Sequence, residues 1–517
     1  DGKTEKRGLH TWQVGTVAAK HWLFRRLGAD ADLEREQRLV HFSDQLDKPF
    51  FAGMVAETFD PKTNRYLKKR GARNEPLDCF DAETEVLTRA GWKHFRDVGF
   101  DDLLATVELT SDRIEYQAPV ALIDKPYSGE MVQIKGARID IMVTPRHRMV
   151  TLKKEQVTKA DGKRAWNLDV APQITLAEDL TVHHAIKLRA TWEGFDEATV
   201  TVPAAISAQG VEISPEVEVD AGDLAEMLGW WVSEGSLQAV DMGKGSIQRR
   251  VGIAQKKPAG VAAIEALLDR LPWRWHRSGC SFVCTSKQLF DLVYPLGRYQ
   301  HERRVPQWIK DASPAVIARY LTGAIGGDGW IQQKEAHHRK SRAYATTSKL
   351  LADDMQELFI KIGNAATMRI VDPKAPAVGE RKIKGARTQY HVYERLASRA
   401  YLDGGGQGRR GYIGQRVQYE GRVYCATVPN GTLIVRRAGK TFIAGNCYVY
   451  AYAAAHHPEL HLHRLTRAEW TEAEARLARN GASQPAAEGA PATSQPATPV
   501  TPSAQVRRRT AKSTYLR

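Results

Sequence analysis

The hydrophobic period of this 517-residue chain changes twice, and that alternation restricts the fold more than any single motif does. From 79 to about 160, apolar and polar residues alternate, as in Val132-Gln133-Ile134-Lys135 and Ile139-Asp140-Ile141-Met142-Val143, the two-residue period of half-buried strands. Between about 223 and 400 a helical period takes over, for example in Val261-Ala262-Ala263-Ile264-Glu265-Ala266-Leu267-Leu268 and from Leu350 to Phe359. Strand patterning returns near 411 to 446. A β module split by a mixed helix and strand domain is what this implies, and the length suits three or four domains.

Two short strings mark the outer edges of the split module: Asp78-Cys79-Phe80-Asp81 and Gly445-Asn446-Cys447-Tyr448. A thiolate is a strong nucleophile and a good leaving group, so Cys79 can turn the preceding peptide bond into a thioester and Cys447 can take over the acyl group. Asn446, placed between, can close on its own carbonyl and cut the chain. Removing 79–446 takes out 368 residues and leaves 149, that is 78 plus 71. In the rejoined text Leu77, Tyr448, Val449 and Tyr452 fall at i, i+3, i+4 and i+7, one apolar helix face across the junction, with Asn74 as N-cap and Pro76 in the first turn.

The flanking text resembles inteins of the Hint (hedgehog/intein) fold. Cys79-Phe80-Asp81-Ala82-Glu83-Thr84-Glu85-Val86-Leu87-Thr88 with Gly91-Trp92 is similar to the opening block, and Val143-Thr144-Pro145-Arg146-His147-Arg148-Met149-Val150 to the next. The runs 422–431 and 440–447 are similar to the closing pair. The resemblance implies an all-β splicing domain with Cys79 and Cys447 as nucleophiles, His147 helped by Thr144 at the first scissile amide, and Asn446 as the cyclising residue. It departs from the family at Gly445, where histidine is common, and at Cys425, where aspartate is frequent. No helper histidine is evident, so Asn446 is expected either to cyclise more slowly or to be assisted by groups that the sequence does not identify.

Inside the insertion, Met227-Leu228-Gly229-Trp230-Trp231-Val232-Ser233-Glu234-Gly235 and Leu321-Thr322-Gly323-Ala324-Ile325-Gly326-Gly327-Asp328-Gly329 repeat one pattern 94 residues apart. Either alone reads equally well as an ordinary helix end. The pair resembles the LAGLIDADG homing endonucleases, which implies an α/β domain with two face-to-face helices. It further implies that Glu234 and Asp328 hold Mg2+ for phosphodiester hydrolysis. Arg249-Arg250, Lys256-Lys257 and Arg339-Lys340-Ser341-Arg342 are candidate phosphate contacts, although each is also readable as a solvated face. A net charge of +15 fits double-stranded DNA as partner.

The spliced flanks, residues 11–78 and 447 to about 465, resemble the C-terminal part of phage terminase large subunits of the lambda-like GpA family. That implies α/β fragments of an RNase H-like nuclease, Asp78 as a Mg2+ ligand, and the terminase small subunit and portal as partners, with the other acids and the motor upstream; Glu57 is a weak candidate. The multidomain organisation expected is therefore 1–78 and 447–479 as host, 79–222 and 401–446 as splicing domain, 223–400 as endonuclease, and 480–517 as a disordered basic tail too poor in large apolar residues to fold. Of five cysteines, Cys280 and Cys284 read as buried thiols. Free thiols and the lack of an apolar run of membrane length point to the cytoplasm, with no membrane partner. Two other readings remain: a Hint autoprocessing domain without ligation, and a decayed DNA-binding remnant.

Overall fold

The computed structural model describes residues 57–60, 65–68 and 78–446, except 159–163, 168–169, 244–246, 335–338, 373–376, 379–380, 383–386 and 403–414. By contacts the chain divides into 1–450 and 451–517. The expected host helix across 78 and 447, Cys447 itself, the remaining host segments and the tail all lie outside the described residues. Before Asp78 the structure describes one antiparallel pair, Glu57–Asp60 with Arg65–Lys68.

The two stretches of alternating text do form one β module. Gln415–Thr427 pairs along its whole length with Ala121–Lys135, from Gln415 opposite Gln133 to Thr427 opposite Ala121. The hairpin Thr432–Arg437/Lys440–Gly445 turns through Ala438 and Gly439, at φ 47° and 72°, the left-handed pair that matches strand twist in a two-residue loop. Its outer side pairs with Glu85–Thr88. Gly445 and Ala444 lie along Arg148–Lys153, with Ala444 opposite Met149. Cys79, Phe80, Met131, Ile141, Met149, Val423, Leu433 and Phe442 share one buried core, so residues more than 300 positions apart are packed against each other.

Among its described residues the central text folds around six helices: α1 (Ala221–Glu234), α2 (Pro258–Leu268), α3 (Lys287–Val293), α4 (Gln307–Asp311), α5 (Pro314–Asp328) and α6 (Lys349–Lys361). The sequence repeat is a structural one. After α1 come Gly235–Asp241, Ile247–Ala254, α2, Trp275–Ser278 and Ser281–Thr285; after α5 come Gly329–Lys334, Arg339–Thr346, α6, Ala365–Val371 and Gln389–Arg395. In both halves the main strands lie in the order first, second, fourth, third. Helix α1 starts under an Asp220 cap, whose Oδ1 accepts from Asp223 N at 2.8 Å, so 223 falls inside a helix. The hairpin Thr199–Val202/Val217–Asp220 precedes it, and Val202 and Val219 lie in the core of the helical lobe. At the other end Arg399–Tyr401 pairs with His184–Lys187 of the β module, so the return crosses over before 399 rather than after 400.

The two lobes meet through buried polar contacts. Arg436, fully buried, donates to Glu85 Oε2 at 2.6 Å and Oε1 at 2.7 Å in the β module, and to Asp353 Oδ1 at 2.6 Å and Gln356 Oε1 at 2.8 Å on α6. Its guanidinium lies over the Trp92 ring. Nearby, Met368 N donates to Gly439 O at 2.7 Å.

Candidate functional site

At the first junction, strand register sets the neighbours of Cys79. Phe80 bridges Val143 on one side and Tyr424 on the other, so antiparallel pairing puts Cys79 between Thr144 and Cys425. Cys79 N donates to Thr144 Oγ1 at 3.0 Å, Thr144 N donates to Cys79 O at 3.0 Å, and Thr144 Oγ1 lies 3.4 Å from the same carbonyl. Cys79, Thr144, His147 and Cys425 are all buried. His147 sits against the residues flanking Cys79: its ring packs edge-on to Phe80 at 4.2 Å, and Nδ1 is 2.5 Å from Asp78 Oδ1. That contact lacks hydrogen-bond angles, and Nε2 also lacks a hydrogen-bond partner. Burial without a well-formed hydrogen bond is costly for an imidazole.

The second junction lies on the far side of Arg148. Asn446 is fully buried; its N donates to Gly431 O at 3.0 Å and its Nδ2 to Val428 O at 2.8 Å. Arg148 Nη2 donates to Asn446 Oδ1 at 2.9 Å and Arg148 Nε to Asn446 O at 3.1 Å. The same Nε lies 3.3 Å from Asp78 Oδ2, and Arg148 N donates to Asp78 Oδ1 at 3.1 Å. Asp78, expected as a metal ligand, is thus buried among His147 and Arg148 here. In the sequence Arg148 stands only as the residue after His147. Nothing local reveals its reach to a residue 298 positions away.

In the other lobe α1 and α5 pack through their glycines. A Cβ on Gly229 would stand 2.1 Å from Tyr320 O, one on Gly323 2.2 Å from Glu226 O, and one on Gly327 2.4 Å from Ser233 Cβ. This close approach brings the helix ends together. Each helix ends in an acid, Glu234 or Asp328, against the preference of a helix C-terminus for cations. Burial and then the Glu234 charge push the Asp328 carboxyl up to about 6. Gln300 Nε2 donates to Asp328 Oδ2 at 3.1 Å, and buried Arg303 caps α1 by donating to Trp231 O at 3.0 Å, Val232 O at 2.6 Å and Gly235 O at 2.5 Å. Ser233 Oγ joins the helices through Ala324 O at 3.0 Å and contacts Tyr344 Oη at 3.0 Å. Gln300, Arg303 and Tyr344 carry no motif and were not anticipated.

The basic clusters are sorted by the fold. Arg249 and Arg250 lie on Ile247–Ala254, Arg339 to Arg342 on Arg339–Thr346, and Lys256 and Lys257 in the turn before α2. Arg342 is already committed to buried Glu394, at 2.6 Å from Oε1. Cys284 is buried, which pushes its thiol up to about 12, but Cys280 is exposed, contrary to expectation, because Gly279 and Cys280 form the tip of a hairpin. Among the described residues no three acids, histidines or cysteines gather as a metal cage, and no helix is long and apolar enough to cross a membrane.

Comparison with known proteins adds distant relatives. The chain is 22% identical over 299 residues to the ATP-dependent Clp protease proteolytic subunit of Chlamydomonas moewusii, covering 57% of this chain and 28% of that protein. It is 22% identical over 387 residues to the ribonucleoside-diphosphate reductase subunit beta of Aquifex aeolicus, covering 72% of this chain and 50% of that one. The chain thus spans between about a quarter and a half of these curated relatives. Among solved structures, mesophilic variants of the homing endonuclease I-DmoI match 34% of this chain and 89% of theirs at 15% identity and a TM-score of 0.24. A splice-inactive variant of the AceL NrdHF class 3 split intein matches 28% of this chain and 78% of its own at 17% identity and a TM-score of 0.17. Residues 1–95 match the family described as the terminase large subunit gpA endonuclease domain, a match that starts in the expected host segment and runs past Cys79.

Proposed function

We propose that residues 79–446 are a self-splicing intein of the Hint type carrying a LAGLIDADG endonuclease, inserted in the nuclease domain of a phage terminase large subunit. The observation that carries this reading is that both scissile junctions, 368 residues apart, converge on one buried site around His147 and Arg148. The relatives support it: a protease subunit and a reductase subunit share little by name, yet each aligns over more of the chain than the 95 residues matched to terminase. A segment common to unrelated hosts behaves as an insertion.

Cys79 Sγ attacks the Asp78 carbonyl carbon, and the Cys79 nitrogen leaves as an amine that needs a proton. His147, set against Asp78 and Phe80, is the donor in this reading, and the bonds Cys79 N donates to Thr144 Oγ1 and Cys79 O accepts from Thr144 N hold the Cys79 backbone in place. The Cys447 thiol then displaces the Cys79 thiol from the thioester. Asn446 Nδ2 attacks its own carbonyl carbon and the 446–447 bond breaks, after which the freed Cys447 amine takes the acyl group from its own sulfur to give a peptide bond. In the endonuclease Glu234 and Asp328 would hold Mg2+, which would offset the burial and the Glu234 charge that raise Asp328 and would supply water activation and stabilisation of the leaving oxygen. Arg249 and Arg250 are placed to meet phosphates of double-stranded DNA. In the ligated host Asp78 is proposed to bind metal, with the small subunit and portal as partners and the cytoplasm as compartment.

Expression of the chain should give pieces near 149 and 368 residues by mass. Cys79→Ala should leave at most cleavage at Cys447, and Asn446→Ala should accumulate branched or N-cleaved species. A Cys79→Ala/Asn446→Ala double variant that still ligates would overturn the reading.

A further inference from the structure

Asn446 must lose its peptide bond without a histidine before it, and the fold shows why none stands there. Strand pairing sets Ala444 opposite Met149, so Gly445 lies opposite Arg148. A Cβ on Gly445 would stand 2.7 Å from Arg148 Cβ and 2.7 Å from Arg148 O, closer than real Cβ atoms come. The glycine is required here for space. Any side chain at 445 would displace Arg148, so this chain can hold a histidine at 445 or Arg148 in its present position, not both.

Resting on the splicing reading, we propose that Arg148 is the catalytic group for Asn446 cyclisation, seated in the space Gly445 leaves open. Arg148 Nε donates to Asn446 O, the oxygen that gains charge when Nδ2 attacks the carbonyl carbon. A cation with an N–H aimed at that oxygen in a buried site stabilises the tetrahedral state as an oxyanion hole does. Nη2 of the same fork fixes Oδ1, while Val428 O accepts from Nδ2. The opposite amide orientation would face donor to donor and acceptor to acceptor, so these two partners fix which end of the amide carries the nitrogen that must attack. In the step the Nδ2–C bond forms, the bond from C to the Cys447 nitrogen breaks, one proton leaves Nδ2 and one joins the departing amine. Arg148 keeps its protons throughout and acts by charge and direction.

The test uses the full chain and follows each junction separately by mass. The thioester at Cys79 is read by thiol-induced cleavage and the C-terminal break by release of the segment starting at Cys447. Arg148→Ala should slow C-terminal cleavage by about 100-fold, the usual effect of losing one oxyanion donor, while thiol-induced cleavage continues. Methylguanidinium in the buffer should restore part of the rate to Arg148→Ala and none to Asn446→Ala. Gly445→Ala, which leaves Arg148 in the sequence but crowds it, should slow the same step by about 10-fold, and the parent rate should not fall from pH 7 to 9, where a histidine acid would lose its proton. Arg148→Ala that cleaves within about threefold of the parent, or that loses both junction reactions and is not rescued by guanidinium, overturns the assignment. A parent chain that releases neither piece overturns the splicing reading itself.

Discussion

Asp328→Asn should stabilise the protein at neutral pH while removing any metal-dependent cutting. The carboxyl stands at a helix C-terminus, partly buried beside Glu234, and is raised from the ordinary 3.8 to about 6. A raised folded pKa means that the protonated form is favoured in the fold. The stabilising contribution is complete below about pH 4 and is lost as pH rises through about 6. A tenfold change in proton affinity is worth about 1.4 kcal/mol, so the ceiling at pH 7.5 is ~3 kcal/mol. Solvent reaches part of this carboxyl, which reduces the figure to about 1 kcal/mol. For a lobe of this size that is a rise of roughly 2–4 °C in Tm. Asparagine keeps an acceptor for Gln300, so the main change is the loss of a buried charge and, after that, of its repulsion by Glu234. The assay is thermal unfolding of parent and variant at pH 7.5 and pH 4, with and without Mg2+. The gain should appear at pH 7.5 and vanish at pH 4, and Mg2+ should raise the Tm of the parent only. A variant less stable than the parent at pH 7.5, or equally stabilised by Mg2+, would refute the reasoning.

Two further outcomes follow from buried charges. Arg436→Met should cost about 3 kcal/mol or more, because it strands Glu85 across the lobe boundary and leaves Asp353 only Lys349 of its own helix; urea unfolding would check this, and a loss under about 1 kcal/mol would mean the joint is incidental. Asp78→Asn removes the carboxylate that competes with Asn446 for Arg148 Nε, so the share of C-terminal cleavage without ligation should rise, measured as the released Cys447 segment over time. An unchanged or smaller share would show that Asp78 does not restrain Arg148.

Much of this protein is legible in short stretches of text. The period-two runs around 132–143 and 432–445 became strands, and the period-3.6 runs became α2 and α6, because amphipathicity is a local property that any tertiary context must respect. The acids closing α1 and α5 were legible for the same reason: each is the end of its own glycine-containing helix. Likewise Cys79, Asn446 and Cys447 could be proposed for acyl exchange, since that chemistry belongs to the side chain before any fold is considered.

Tertiary structure decided which of these groups meet and what stands between them. Arg148 serves Asn446 only because Met149 pairs with Ala444, a register set by the whole β module and by a core drawn from both of its halves. Gly445 is a spacer for the same reason. Its backbone angles do not require glycine, and only the neighbouring strand does. Arg436 reads as one more basic residue until burial between Glu85 and Asp353 makes it the tie between lobes, and Arg342 reads as a phosphate contact until Glu394 claims it. Long-range pairing brings groups together from hundreds of residues apart, and buried charges must then be satisfied by whatever the register places beside them. The sequence names the reactive groups, while the strand register chooses their partners.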